Sequence, residues 1–247
     1  MSGHSKWSTI KHKKAATDAK RGQQFTRIIR EITMAVRSGG GDPEANPRLR
    51  SAILAAKGVN MPQDNVKRAI LRGTGELPGV TYEEITYEGY GPEGAALLVE
   101  AMTDNSNRTT PEIRHLFSKY GGNLGTPNCV SWMFEKKGLF TVPAADVTED
   151  RLMEVALEAG AEDIQEEDDQ YEILTPVASF EPVSTALSQA GIKTSLAEIS
   201  RVPANTVKIR GKKAAQLIRL LEALEEQDDV QKVWTNADLD EADAGQE

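Results

Sequence analysis

The sequence predicts an α+β protein with an N-terminal three-helix domain followed by two α/β domains, one of them ferredoxin-like and inserted into the other. Three observations lead to this prediction. Apolar residues recur at helical spacing up to about residue 71, and strand patterns begin after Pro78. The chain has 247 residues, whereas one domain usually takes about 150. More than one hydrophobic core is therefore expected.

The first helix is predicted between Gln24 and Arg37, where one apolar stripe is formed by Phe25, Ile28, Ile29, Ile32 and Val36. At about 100° per residue, Arg27, Arg30 and Arg37 lie on the opposite side of this helix. We expect their guanidinium groups to face solvent or phosphate. Glycines 39–41, followed by Pro43, end the helix.

Two shorter helices are predicted next. Pro47 begins one that runs to Lys57, and Pro62 begins another that runs to Leu71. Val66, Ala69 and Ile70 form the apolar stripe of the latter, and the glycines at 73 and 75 end it.

Strand patterns then alternate with helical ones. Strands are predicted from Tyr82 to Tyr90, from Ala95 to Met102 and from Val130 to Phe134. Between the last two lies a helix, for which Thr109 and Glu112 form a capping box.

Residues 138–202 show the order β-α-β-β-α-β, which is typical of the ferredoxin-like fold. A helix and the strand Val230–Thr235 follow, and we expect them to complete the sheet that begins at Tyr82. The predicted domains are residues 1–78, residues 79–137 together with 203–238, and residues 138–202. Residues 239–247 form an acidic tail.

Charge is unevenly distributed along the chain. The formal net charge is −9, yet residues 1–76 hold fifteen Lys and Arg against six acids and carry +9. The remaining residues carry −18. Such segregation indicates a basic module that meets a polyanion. The predicted nucleic-acid-binding residues are Lys6, Lys11, Lys13, Lys14, Lys20, Arg21, Arg27, Arg30, Arg48 and Arg50.

Catalytic signatures are missing from the sequence. It contains no phosphate-loop, dinucleotide, zinc-protease or nucleophile-elbow motif, so we expect no enzymatic activity and no cofactor. Cys129 is expected to be a small buried hydrophobe, and His4 and His12 have too few neighbouring ligands for a metal. The polar loop 104–110 is the best enzymatic candidate, but turn formation and helix capping account for it more simply.

Targeting signals are also missing. The sequence shows no apolar run of membrane-spanning length and no signal peptide, which favours a cytoplasmic protein. The strand 137–142 partly matches an RNA-binding motif. Leu139 replaces an expected aromatic residue and the surrounding unit is acidic, so we expect no RNA binding there.

Several ordered motifs resemble the YebC family. They include Gly3-His4-Ser5-Lys6-Trp7, Asn60-Met61-Pro62-Gln63-Asp64-Asn65-Val66, Tyr87-Glu88-Gly89-Tyr90-Gly91-Pro92, and Thr103-Asp104-Asn105 with Asn107-Arg108-Thr109. The resemblance extends from residue 3 to about residue 236. It implies a three-domain protein that binds DNA as a probable transcriptional regulator. Relatives include a mitochondrial translational activator of cytochrome oxidase subunit one, and some members are thought to act at the ribosome on proline-rich stretches.

Two functions follow from these observations. The basic module can hold the backbone of DNA in a transcriptional regulator, or grip ribosomal RNA in a translation factor. No clear recognition helix with base-reading side chains is visible in the sequence. The residues themselves favour neither target, and they do not fix an oligomeric state.

Overall fold

A computed structural model describes residues 18–167 and 169–239, with the side chains of residues 18–21 and 167 left out. These residues divide into two compact units. One unit comprises residues 131–206. The other comprises the described residues up to 130 together with those from 207 onward.

Three helices form the N-terminal region of the larger unit: α1 (Asp18–Gly39), α2 (Pro47–Gly58) and α3 (Gln63–Thr74). The predicted stripe of α1 packs against α2 and α3, with Ile32, Leu49 and Ala69 fully buried in a shared core. Gly73 lets α3 approach α1 closely, because a Cβ there would lie 2.6 Å from the Cβ of Val36.

The ends of these helices follow the predicted signals. Asn46 caps α2 by accepting a hydrogen bond from the amide of Leu49 at 3.1 Å. Gly40 and Gly75 both have φ of +84°, the left-handed conformation in which glycine commonly ends a helix.

An antiparallel sheet with strand order β3-β1-β2-β9 completes the larger unit. Its strands are β1 (Glu83–Tyr90), β2 (Ala96–Thr103), β3 (Asn123–Leu124) and β9 (Val230–Thr235). Helices α4 (Ser106–Lys119) and α7 (Gly211–Glu226) pack on it, with a core that includes Leu97, Phe117 and Leu221. The short strands β8 (Val207–Lys208) and β10 (Ala237–Asp238) pair in parallel. Because β9 pairs with β2, the chain returns to its first sheet as expected.

Residues 131–206 form a second antiparallel sheet with strand order β5-β6-β4-β7. Its elements are β4 (Phe134–Pro143), α5 (Glu149–Glu158), β5 (Asp163–Glu167), β6 (Gln170–Pro176), α6 (Phe180–Gln189) and β7 (Leu196–Pro203). Both helices contribute to one core with Phe140, Val142 and Ile173. The element order is the β-α-β-β-α-β order predicted for this part of the chain.

The predicted strand Val130–Phe134 is wrong. The chain forms a short 3-10 turn at Ser131–Met133, and β4 begins only at Phe134. The physical reason lies in the neighbouring bonds: the carboxylate of Glu88 accepts the amide of Val130 at 2.8 Å, whereas Phe134 pairs with Pro203 of β7. The strand pattern thus belongs to β4, which starts four residues before the expected domain boundary.

Candidate nucleic-acid interface

The predicted binding residues fall into three groups. Lys6, Lys11, Lys13 and Lys14 lie outside the described residues. Lys20 and Arg21 lie near the start of α1, but their side chains lie outside the described part. Only Arg27, Arg30, Arg48 and Arg50 have contacts that the structure describes.

Arg27 and Arg30 face the end of α7 rather than solvent, which corrects the expected orientation. Arg27 donates to the carbonyl of Glu225, and Arg30 donates to the carbonyl of Asp228 at 2.5 Å. Helix ends leave carbonyl groups without helical partners, and the helix dipole attracts cations there. The polar face of α1 therefore binds the C-terminal end of α7. Burial lowers the pKa of Arg27, although nearby acids, Glu225 first, oppose this effect.

Asp229 pairs with two arginines next to the C-terminal end of α7. Its side chain is 2% exposed, and Arg30 Nη1 lies 3.1 Å from Asp229 Oδ1. Asp229 Oδ2 accepts hydrogen bonds from Arg108 at 2.8 Å and from Thr109 at 2.6 Å. Burial raises the pKa of this carboxyl, but the hydrogen bonds and the two guanidinium charges outweigh it and hold the pKa below its ordinary value. Asp229 is thus a buried carboxylate in its charged form.

Arg48 and Arg50 are also engaged within the chain. Arg48 forms a bidentate pair with Glu31, at 2.7 and 3.1 Å, and also contacts Glu84. These hydrogen bonds raise the pKa of Arg48. Arg50 donates long hydrogen bonds of 3.3 and 3.4 Å to the carbonyls of Pro43 and Glu44. A phosphate would have to displace these acceptors.

A different set of basic side chains is available on α2 and α3. Lys57, Lys67, Arg68 and Arg72 are exposed, and none forms an ion pair with an acid in the described part of the chain. We call these four residues the α2–α3 basic face. The sequence prediction omitted them, although a signal was present: with Val66, Ala69 and Ile70 in the core, Lys67, Arg68 and Arg72 must point outward.

The polar loop before α4 serves the structure. Asn105 is the N-cap of α4 and accepts from the amide of Arg108 at 3.3 Å, so the predicted capping box at Thr109 is wrong. Thr109 lies inside the helix, fully buried, because its hydroxyl is held by Asp229. Asp104 pairs with Arg108 at 2.9 Å. Capping and ion pairing thus account for the loop, but the capping residue is Asn105 and not the predicted Thr109.

Neither Cys129 nor the partial RNA-binding motif 137–142 has the surroundings that its candidate role needs. Cys129 is half-buried rather than buried, and burial raises the pKa of its thiol, which disfavours the thiolate nucleophile. Phe140 of the partial RNA-binding motif is fully buried and stacks on Phe180 with ring centroids 4.7 Å apart. Its ring is therefore not available to a base.

The described ranges, 18–167 and 169–239, show neither a metal site nor a membrane-spanning helix. They contain no cluster of three or more His, Cys, Asp or Glu residues that could hold a metal ion. No helix in these ranges has the length and apolar character needed to cross a membrane.

Both parts of the chain match domains of the same protein family. Residues 5–76 match the TACO1/YebC protein N-terminal domain, and residues 82–237 match the TACO1/YebC second and third domain. The chain belongs to the TACO1/YebC family. This is a family of probable transcriptional regulators, not of enzymes.

Individual relatives cover nearly the full chain. A probable transcriptional regulatory protein of Desulforapulum autotrophicum is 58% identical, and 97% of each chain is covered. One from Desulfotalea psychrophila is 60% identical, over 98% of this chain and 97% of the relative. The crystal structure of the conserved hypothetical protein Aq1575 from Aquifex aeolicus superposes with a TM-score of 0.84 at 50% identity, covering 94% of this chain and 96% of that one. The α+β architecture of this TACO1/YebC protein is thus shared with a solved structure.

Proposed function

We propose that this protein is a DNA-binding regulator of transcription whose N-terminal helical region holds the phosphate backbone. The observation that carries the proposal is the segregated charge: residues 1–76 carry +9, and the α2–α3 basic face is exposed without acidic partners in the described ranges. The relatives from Desulforapulum autotrophicum and Desulfotalea psychrophila are named probable transcriptional regulatory proteins, which agrees with this function.

Binding would rest on phosphate contacts. Lys and Arg side chains that neutralise phosphates release counterions, and this supplies affinity without reading the sequence. The exposed side chains of the α2–α3 basic face would make phosphate contacts. Further contacts would come from Lys6, Lys11, Lys13, Lys14, Lys20 and Arg21. Arg27, Arg30 and Arg48 would contribute less, because acceptors in the chain already occupy their guanidinium groups.

The proposed organisation follows from this division of charge. Residues 1–78 form the binding domain, and an α/β domain follows into which the ferredoxin-like domain is inserted. Because β4 begins at Phe134, we move the expected limits of the inserted domain from 138 and 202 to 131 and 206, so that residues 79–130 and 207–238 form the surrounding domain. Residues 239–247 form an acidic tail. The acidic α/β domains would repel nucleic acid from most of their own surface. We place the protein in the cytoplasm, where it needs no cofactor.

The second candidate is a translation factor that binds ribosomal RNA. The specific observation in its favour is that the exposed basic side chains suit backbone and shape recognition, which is how proteins bind structured RNA. Crosslinking in cells, with DNA and RNA recovered and sequenced in parallel, separates the two functions. Promoter peaks would support the first, whereas defined positions in ribosomal RNA would replace it with the second.

Binding in vitro tests the proposed interface. Fluorescence anisotropy with a 30-base-pair DNA duplex would compare the wild type with the Lys67→Gln/Arg68→Gln variant at several salt concentrations. Loss of two phosphate contacts lowers the slope of log affinity against log salt by about 1.8. The matched control is Lys136→Gln/Lys193→Gln, which removes two exposed lysines from the 131–206 unit. Equal slopes for both variants would refute the interface.

A further inference from the structure

A second basic cluster interrupts the acidic α/β part of the chain. Four of the six residues from 208 to 213 are basic and all four are exposed: Lys208, Arg210, Lys212 and Lys213. The chain after residue 76 carries a net charge of −18 with these four residues included. We call these four side chains the α7 basic cluster.

The backbone under this cluster is firmly anchored. Ile209 is 1% exposed and belongs to the hydrophobic core, while Lys208 ends β8, which pairs with β10. Arg210 donates to the carbonyl of Asp238, and its guanidinium lies 3.6 Å from the Asp238 carboxylate. Gly211 has φ of +61° with open space around it. The three lysines are therefore presented from an ordered segment.

Stability of the fold does not account for the lysines. Lys208, Lys212 and Lys213 form no ion pair with any acid in the described ranges. Lys212 and Lys213 lie in the first turn of α7, which contains no acid, although cations are unfavourable near the N-terminus of a helix. These three like charges lie within six residues of each other, where the helix dipole is unfavourable to cations. Such an arrangement favours the binding of an external anion.

We propose that the α7 basic cluster is a second contact for the phosphate backbone of the same nucleic acid, so that binding is bipartite. The inference rests on the proposed function and extends it. Helix α1 docks at the C-terminal end of α7, and the cluster lies at the other end of this 16-residue helix, about 24 Å away. Several separate lysines suit the successive phosphates of a nucleic-acid backbone better than they suit a single small phosphate compound.

The test measures anisotropy of the full-length chain on a 30-base-pair DNA duplex and on an RNA duplex of the same sequence. The Lys212→Gln/Lys213→Gln variant is expected to lower the salt slope on DNA by about 1.8, as the Lys67→Gln/Arg68→Gln variant does. A variant that combines all four substitutions should show a decrease in salt slope equal to the sum of the two separate decreases, because the two pairs lie at separate sites. Lys136→Gln/Lys193→Gln is the matched control, and equal urea midpoints would show that all variants fold.

The outcomes separate the inference from the proposed function. If the salt slope falls for the Lys67→Gln/Arg68→Gln variant but equals that of the control for the Lys212→Gln/Lys213→Gln variant, the inference fails and the proposed function stands. If the wild type shows no salt-dependent binding to either duplex, both fail. Vesicles of phosphatidylserine and phosphatidylcholine provide the last arm, since a loss of binding confined to the vesicles would overturn the inference in favour of a membrane surface.

Discussion

Asp229 shows how one buried carboxylate can join distant segments of a chain. Its two oxygens contact Arg30 from α1 and Arg108 and Thr109 from α4, while its own backbone carbonyl accepts the amide of Met102 at 2.8 Å. A buried charge is costly unless it is fully paired, so each of these partners is needed. The residue therefore fixes the relative positions of α1, α4 and β2.

Replacing Asp229 with Asn should destabilise the protein strongly. The substitution leaves Arg30 buried without its counter-charge, which we expect to lower the free energy of unfolding by about 3 kcal/mol. Urea denaturation at pH 7 measures the change. Asp104→Asn is the matched control, because it removes an exposed partner of the same Arg108 and should cost less than about 0.5 kcal/mol. Similar losses for the two variants would contradict the role of Asp229.

The contribution of Asp229 should also depend on pH. Its pKa is depressed in the folded state, so its stabilisation is present above the ordinary carboxyl pKa near 3.8 and disappears as the pH falls through the folded value. The difference in unfolding free energy between the wild type and Asp229→Asn should be constant from pH 7 to about pH 5 and shrink below about pH 4. Denaturation curves over this range provide the measurement, and a constant difference down to pH 3 would contradict it.

Helix α4 gives a prediction at the scale of the element. Since Asn105 is the N-cap, Asn105→Ala should lower the free energy of unfolding by about 1 kcal/mol. If Thr109 and Glu112 formed the cap instead, Glu112→Ala would be the costlier change. Glu112 accepts an exposed hydrogen bond from Gln227 at 2.8 Å, so its replacement should cost less than that of Asn105. Thermal denaturation of the two variants decides between these arrangements.

Elements whose ends depend on neighbouring residues were predicted correctly, whereas those that depend on residues far away in the sequence were not. The strand Val230–Thr235 has the predicted bounds, because turn residues flank its pattern. The start of α4 was misplaced because Asn105 and Thr109 both suit an N-cap locally. Asp229, which takes the hydroxyl of Thr109, lies 120 residues away and leaves no local signal.

Only part of the candidate site could be predicted from the sequence. Outward placement of Lys67, Arg68 and Arg72 follows from the periodicity of α3 alone and could have been predicted. The docking of Arg27 could not, because its acceptor lies 198 residues later in the chain. Amphipathic periodicity identifies the face of a helix that enters its first core, but it does not show whether the polar face also packs against another element.

On the scale of the whole molecule, the contact between α1 and α7 ties the helical region to the first sheet. Gln23, Arg27 and Arg30 all donate to the segment 225–228, which follows α7 or forms its last turn. Free carbonyl groups at this helix end are thereby satisfied by side chains from α1. The helical region and the sheet should therefore unfold together in the wild type.

Breaking this contact should change stability more than binding. We expect Arg27→Ala/Arg30→Ala to lower the urea midpoint and to separate unfolding into two transitions, since Asp229 and the carbonyls of α7 lose their partners. Arg37→Ala is the control: Arg37 is exposed on the same helix, and within residues 18–167 and 169–239 its side chain makes only a 3.5 Å contact with the carbonyl of Val80. DNA affinity, measured below the first transition, should fall no further for the double variant than for two exposed lysines outside the interface. A double variant with wild-type stability and greatly weakened DNA binding would instead show that Arg27 and Arg30 leave α7 to contact phosphates.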